Sequence, residues 1–247
     1  MALSRQQKVI IISLVSYWLT LSILTHIPIP LLVREAGVSD KSLHFLAYLI
    51  LVFLLWFAIS PDRRVNWRWP AVWQVLFVIV AYAILDEWLQ GYVRGRSRDV
   101  MDFVANLAGT LTGLILFSFF TFWPAALLVM GATIFGLTNI TRANLADLLP
   151  IANAMFHLFA YPIFALLWVQ YVQLFLSLRP PKPRWLITAL AAPIGLLLAI
   201  ELFSVILGKD FALPDIIISV GGIMVVIATI YLAALFRKRQ DARPKRP

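Results

Sequence analysis

Runs of roughly 20 apolar residues, the length that crosses a bilayer as a helix, recur along the chain between prolines, glycines and small clusters of charge. Breaking the sequence at those interruptions predicts helices near 9–29, 42–60, 71–91, 100–120, 124–138, 151–177, 185–207 and 214–236. The segments between them, among them PDRRVNWRWP, GYVRGRSRD, RPPKPR and GKDFALP, have the turn-forming composition of loops. The pattern predicts an all-α, polytopic bundle of about eight spans. One stretch departs from it. LDEWLQGYVRGRSRDVMDFVANLAG, Leu85 to Gly109, crowds carboxylates, arginines, a glutamine and an asparagine between two apolar runs.

Composition supports a membrane setting: 62% of the 247 residues are hydrophobic and 13% charged, and the mean hydropathy is +0.88. Soluble domains are about half apolar and a quarter charged. The net charge of +9 is dispersed among short loops and the carboxyl end, so no nucleic-acid partner is implied. The absence of cysteine excludes disulfides, thiol nucleophiles and thiolate metal sites. The first apolar run is too long for a signal-peptide core and reads as a retained helix.

Lysine and arginine accumulate on the cytoplasmic side of membrane proteins. With both termini cytoplasmic, 14 of the 21 cations fall inside. The cluster Arg94, Arg96 and Arg98 is the clear exception and lies on the outer side, where ten of the twelve carboxylates also fall. The bacterial cytoplasmic membrane is the expected location, with the polar chemistry facing outward. Ionisable groups that border or enter apolar runs are costly and usually paired or functional; here these are Asp86, Glu87, Asp102, Glu201 and Asp215.

An internal similarity divides the chain. SLHFLAYLIL from Ser42 and MFHLFAYPIF from Met155 share His, two residues, Ala and Tyr, giving His44 with Tyr48 and His157 with Tyr161. His44 precedes Glu87 by 43 residues and His157 precedes Glu201 by 44, and the steps on to Asp102 and Asp215 are 15 and 14. A glycine follows each aspartate by seven residues, Gly109 and Gly222. The expected domains are a four-helix repeat over 1–121, a second, degenerate one over 122–236, and a basic cytoplasmic tail over 237–247. Four helices in each half, an even number, give the repeats one orientation. The second lacks counterparts of Gln90, Arg94 and Arg96, so chemistry is expected in the first.

Helical spacing sets His44 and Tyr48 on one face, Asp86 and Gln90 on another, and Asp102 and Asn106 on a third, with Gly109 and Gly113 continuing the last stripe. His44 and Glu87 are candidate acid–base residues. Tyr48, Asp86, Gln90, Arg94, Arg96, Asp102 and Asn106 are candidate ligand-binding residues, with Arg94 and Arg96 as an anion clamp around Gly95. Asp99 suits a helix cap, and His26 a helix end. No metal is assigned and no cofactor expected, because each half offers one such histidine among carboxylates. The structural alternative is an ion-pair network, Glu87 with Arg94 or Arg96 and Asp102 with another arginine.

DKSLHFLAY followed by LDEWLQGYVRGRSRDVMDFVANLAGTLTG resembles the VanZ-like family of bacterial membrane proteins, over roughly residues 9 to 120. The matching positions are Asp40, Lys41, His44, Tyr48, Asp86, Glu87, Gln90, Arg96, Asp102, Asn106 and Gly109. The resemblance implies a cell-envelope protein connected with resistance to the glycopeptide teicoplanin, and supplies no reaction. The functional expectation is an outward-facing polar site for an anionic envelope lipid or glycan precursor, enzymatic or not, in contact with membrane lipids. The rivals are a non-catalytic binder or transporter of an amphipathic ligand, and a structural partner of envelope machinery.

Overall fold

The computed structural model describes residues 3–27, 40–94, 96, 98–139, 150–209 and 213–241. The described residues form eight helices and no strand: α1 Arg5–Thr25, α2 Asp40–Ile59, α3 Pro70–Gln90, α4 Val100–Phe119, α5 Phe122–Asn139, α6 Pro150–Phe175, α7 Pro183–Ile206 and α8 Leu213–Asp241. Each is long and apolar enough to cross a membrane, so this is a multi-pass membrane protein. Large apolar side chains such as Phe77, Ile12 and Ile187 lie exposed on the helix surfaces, as a lipid-facing surface requires.

Most helix bounds follow the apolar runs, and two differ for local reasons. Helix α1 starts at Arg5 because Ser4 caps it, its hydroxyl accepting from the Gln7 amide at 3.1 Å. It ends at Thr25 rather than near residue 29, since Pro28 and Pro30 disfavour helical geometry in the residues before them. Helix α8 runs past residue 236 to Asp241, taking Arg237, Lys238 and Arg239 of the expected tail into its last turns. Cations there face the negative end of the helix dipole. Residues 242–247 of that tail lie outside the described residues.

The chain divides into two compact units, Met1–Ala143 and Asn144–Pro247. Helix α5, which the sequence division at 121/122 groups with the following helices, packs on α2 within the first unit. There α2 is central and packs against α1, α3, α4 and α5. The α2–α4 contact is the closest, and glycine makes it possible. A Cβ on Gly109 would collide with the backbone carbonyl of Phe45, and one on Gly113 with a methyl of Val52, so small residues bring the two backbones together. Tyr17 ties α1 to α2 by donating to the Ala47 carbonyl at 2.9 Å. In the second unit α6 packs against α7 and α8, with Gly222 facing Pro162.

A buried polar cluster as the candidate functional site

The tight α2–α4 pair, the end of α3 and the end of α1 bring polar groups together at one end of the first unit. His44, Tyr48, Asp86, Glu87, Gln90, Asp102 and Asn106 are all buried. Buried polar groups need partners, and tracing those partners separates the residues into two networks.

The first network centres on Asp86. Its Oδ1 accepts from Thr25 Oγ1 and its Oδ2 from Gln90 Nε2, both at 2.8 Å. The Gln90 amide oxygen accepts in turn from Arg96 Nη1 at 3.3 Å. Arg96 also donates to the carbonyls of Leu24 and Ile27, at 2.9 and 3.1 Å, and so covers the end of α1, where helix carbonyls lack partners. His26 closes the same turn, with Nδ1 2.7 Å from the Ser22 carbonyl and 3.8 Å from Asp86.

The second network joins α2, α3 and α4. His44 Nδ1 lies 3.0 Å from Asn106 Oδ1. With the Asn106 amide oxygen facing it, Nδ1 is the donor of this contact, and Nε2 is turned toward Asp102. His44 Nε2 is 3.8 Å from Asp102 Oδ2, and Nδ1 is 3.8 Å from Glu87 Oε1. Lys41 reaches Asp102 Oδ1 at 3.2 Å and Asp99 Oδ2 at 2.8 Å. Asp99 caps α4 as its position implied, accepting from the Met101 amide at 2.8 Å. The Lys41 hydrogen bond holds its carboxyl below the usual aspartate range.

Glu87 stands apart. It is only 8% exposed, and neither carboxylate oxygen accepts a hydrogen bond. The backbone N–H of Asp99 interacts with it without hydrogen-bond geometry. The Tyr48 hydroxyl and the Asn106 amide nitrogen are also buried without a partner.

Several sequence expectations change. Arg94 and Arg96 do not form a paired clamp: Arg94 is exposed with no hydrogen bond or ion pair among the described residues, while Arg96 is committed to three protein acceptors. Gly95, expected between them as part of that clamp, lies outside the described residues. The ion-pair network with arginine is absent among the described residues: Asp102 pairs with Lys41, and Glu87 meets no cation but the His44 ring. Gly109 and Gly113 form a packing seam on α2. Thr25 was missed, and no spacing pattern ties the end of the first apolar run to Asp86. Lys41 appears in the family pattern, but its position gave no reason to link it to Asp102. His44, Glu87 and Asp102 each offer a ligand atom, and the three atoms lie within 4.8 Å of one another, so this trio could hold a metal ion.

A cavity of about 350 Å³ opens beside the cluster, walled by α1, α2 and α5. Leu21, Leu46, Ile50 and Leu137 give it apolar walls, whereas His44 and Arg96 line it where it meets the polar end.

The second unit has a related but reduced arrangement. His157 Nδ1 lies 2.9 Å from Ser219 Oγ, and its Nε2 3.6 Å from Asp215 Oδ2. Asn153 donates to Asp215 Oδ1 at 2.8 Å. Glu201 is buried but makes no ion pair with His157 among the described residues.

Residues 4–121 match the VanZ/LLP1 family model. The chain carries a VanZ-like membrane domain. The match covers α1 to α4 and therefore every helix that contributes to the two networks. Comparison with curated proteins and with solved structures gives no match.

Proposed function

We propose that the VanZ-like unit binds the phosphate or another anionic group of an amphipathic envelope lipid. The apolar part occupies the cavity, and the anionic group sits at the polar end between Arg96 and His44. The observation that carries this reading is the cavity itself, whose apolar walls meet a fixed guanidinium and an imidazole. A lipid with a charged head is complementary to that combination, and neither a free anion nor a neutral alkyl chain uses both parts. Arg96 is held in advance by Gln90, Leu24 and Ile27, which lowers the ordering cost of binding.

In this reading Glu87 and His44 are the proton-transfer pair, with Asn106 fixing the histidine tautomer and Tyr48 and Asp102 flanking it. The polar end faces outward from a bacterial cytoplasmic membrane. Support comes from Arg5, Lys8, Arg63, Arg64 and Arg68, which lie in the terminus and loop toward the opposite ends of α1 and α2. The second unit is a worn counterpart that supports the first.

The test presents detergent-purified protein with a polyprenyl monophosphate or the matching polyprenol and reads retention by native mass spectrometry. The phosphate should be preferred, and Arg96→Ala should weaken that preference by about tenfold, the scale of a charge-assisted hydrogen bond. Equal retention of alcohol and phosphate overturns the reading. If Glu87→Gln still binds but stops turnover of the lipid, Glu87 serves the chemistry rather than the binding. Binding without turnover in the unaltered protein assigns the site to a binder or carrier. In cells, the matching readout is teicoplanin sensitivity, the phenotype the family resemblance implies.

A further inference from the structure

We propose that His44, Glu87 and Asp102 form a binding site for a divalent transition-metal ion of the zinc or manganese class. The proposal deepens the reading of this cluster as a ligand site, since the ion would add positive charge beside Arg96. Three independent features point to it.

The first is convergence. The three residues come from α2, α3 and α4, and one ligand atom of each lies within 4.8 Å of the others. Metal bonds of about 2.0–2.2 Å hold neighbouring donors roughly 3–4 Å apart. His44 Nε2 lies 3.8 Å from Asp102 Oδ2, too long for a hydrogen bond and within that span, and Glu87 approaches the same ring on its Nδ1 edge. The second is the state of Glu87. Both of its oxygens are buried and accept no hydrogen bond, although every other buried carboxylate of this cluster has a donor. A buried carboxyl without a partner is costly in a protein, and a bound cation would give both of its oxygens a role.

The third is orientation. Metal-bound histidines usually donate their second ring N–H to a fixed acceptor. Asn106 Oδ1 faces Nδ1 at 3.0 Å, and Nε2 is the nitrogen on the Asp102 side. Lys41 binds Asp102 through Oδ1, and it is Oδ2 that faces His44. One nitrogen and two carboxylate oxygens suit zinc or manganese better than a soft ion. A set of three protein ligands leaves a coordination position open for water or a phosphate oxygen. Among the described residues no other such group occurs, so Glu201 is an internal control.

The experiment uses full-length protein in detergent with any affinity tag removed. It is stripped with chelator, offered Zn²⁺, Mn²⁺ or Mg²⁺ separately, passed through gel filtration and analysed for metal, with thermal unfolding followed in parallel. A stoichiometric equivalent of Zn²⁺ or Mn²⁺ should be retained and should raise the unfolding temperature by several degrees, since an ion that binds only the folded state stabilises it. Glu87→Gln and Asp102→Asn should each lose the ion and the shift, while Glu201→Gln keeps both. Visible absorption of the Co²⁺-loaded unaltered protein gives a second readout that needs no variant, and bands of mixed nitrogen and oxygen coordination are expected. Failure to retain Zn²⁺ or Mn²⁺, or retention undiminished in Glu87→Gln, overturns the proposal. No lipid is present, so a negative result leaves phosphate preference to its own assay. Metal retention without phosphate preference sinks the lipid reading alone.

Discussion

The two units build the same histidine–aspartate contact and finish it differently. His44 and His157, Asp102 and Asp215, and Gly109 and Gly222 are each 113 residues apart. The contacts keep the same offset: His44 meets Asn106 and Asp102, and His157 meets Ser219 and Asp215. What differs is the glutamate. Glu201 lies one residue beyond the position that matches Glu87, and one residue turns a side chain by roughly 100° around a helix. Within the second unit, an uncharged Asn153 takes the role of Lys41 toward aspartate. A histidine–aspartate pair on two helices therefore serves as a framework, and the carboxylate from a third helix makes the first unit capable of more.

The largest expected contrast concerns the glycines. Gly109→Ala drives a methyl into the backbone of Phe45, which cannot yield, whereas Gly222→Ala meets the ring of Pro162. Overpacking of this kind costs about 1–3 kcal/mol and sometimes more. Gly109→Ala should lie at the top of that range and Gly222→Ala near its bottom, read by denaturant unfolding in mixed micelles. Equal losses would break the contrast between a backbone seam and a side-chain one.

Next come the glutamates. In chelator-treated protein, Glu87→Gln should leave stability nearly unchanged, because no hydrogen bond to the carboxylate is given up. Under the proposed function, the same change should abolish preferential retention or turnover of the polyprenyl phosphate, while Glu201→Gln leaves both intact. A Glu87→Gln protein that is destabilised under these conditions refutes the unpartnered state of the carboxylate. The histidine partners give a further contrast. Asn106→Ala strands the buried Nδ1–H and should cost about 1–3 kcal/mol, with Ser219→Ala toward the lower end; thermal unfolding of the two variants side by side measures the difference.

The smallest effect is electrostatic. Asp99 has its folded pKa depressed by Lys41, so its contribution is full above the ordinary aspartate value of about 3.9 and fades as pH falls through the lowered one. Asp99→Asn keeps the helix cap and removes the charge. Its stability deficit at neutral pH should therefore vanish in acid, and a deficit independent of pH would assign the residue to capping alone.

The sequence pattern carried the helices well, because a span in lipid must satisfy its own backbone and announces itself by length and hydropathy. It also put Asp102 and Asn106 on one face of α4, but did not show that this face meets His44. It could not separate Asp86 from Glu87. The two are adjacent, and only the packed neighbours show that one is saturated by Thr25 and Gln90 while the other is left open. Arg94 and Arg96 were indistinguishable for a related reason, since loop residues have no periodicity to orient them.

The glycine seam has a mechanical meaning as well. With the backbones of α2 and α4 in contact through Gly109, the donors His44, Asp102 and Asn106 form a fixed anvil. Helix α3 contains no glycine and meets that pair through its side chains, with Glu87 on its final turns. An adjustment that draws Glu87 toward His44 is therefore expected in α3 or in the Glu87 side chain rather than in the α2–α4 pair.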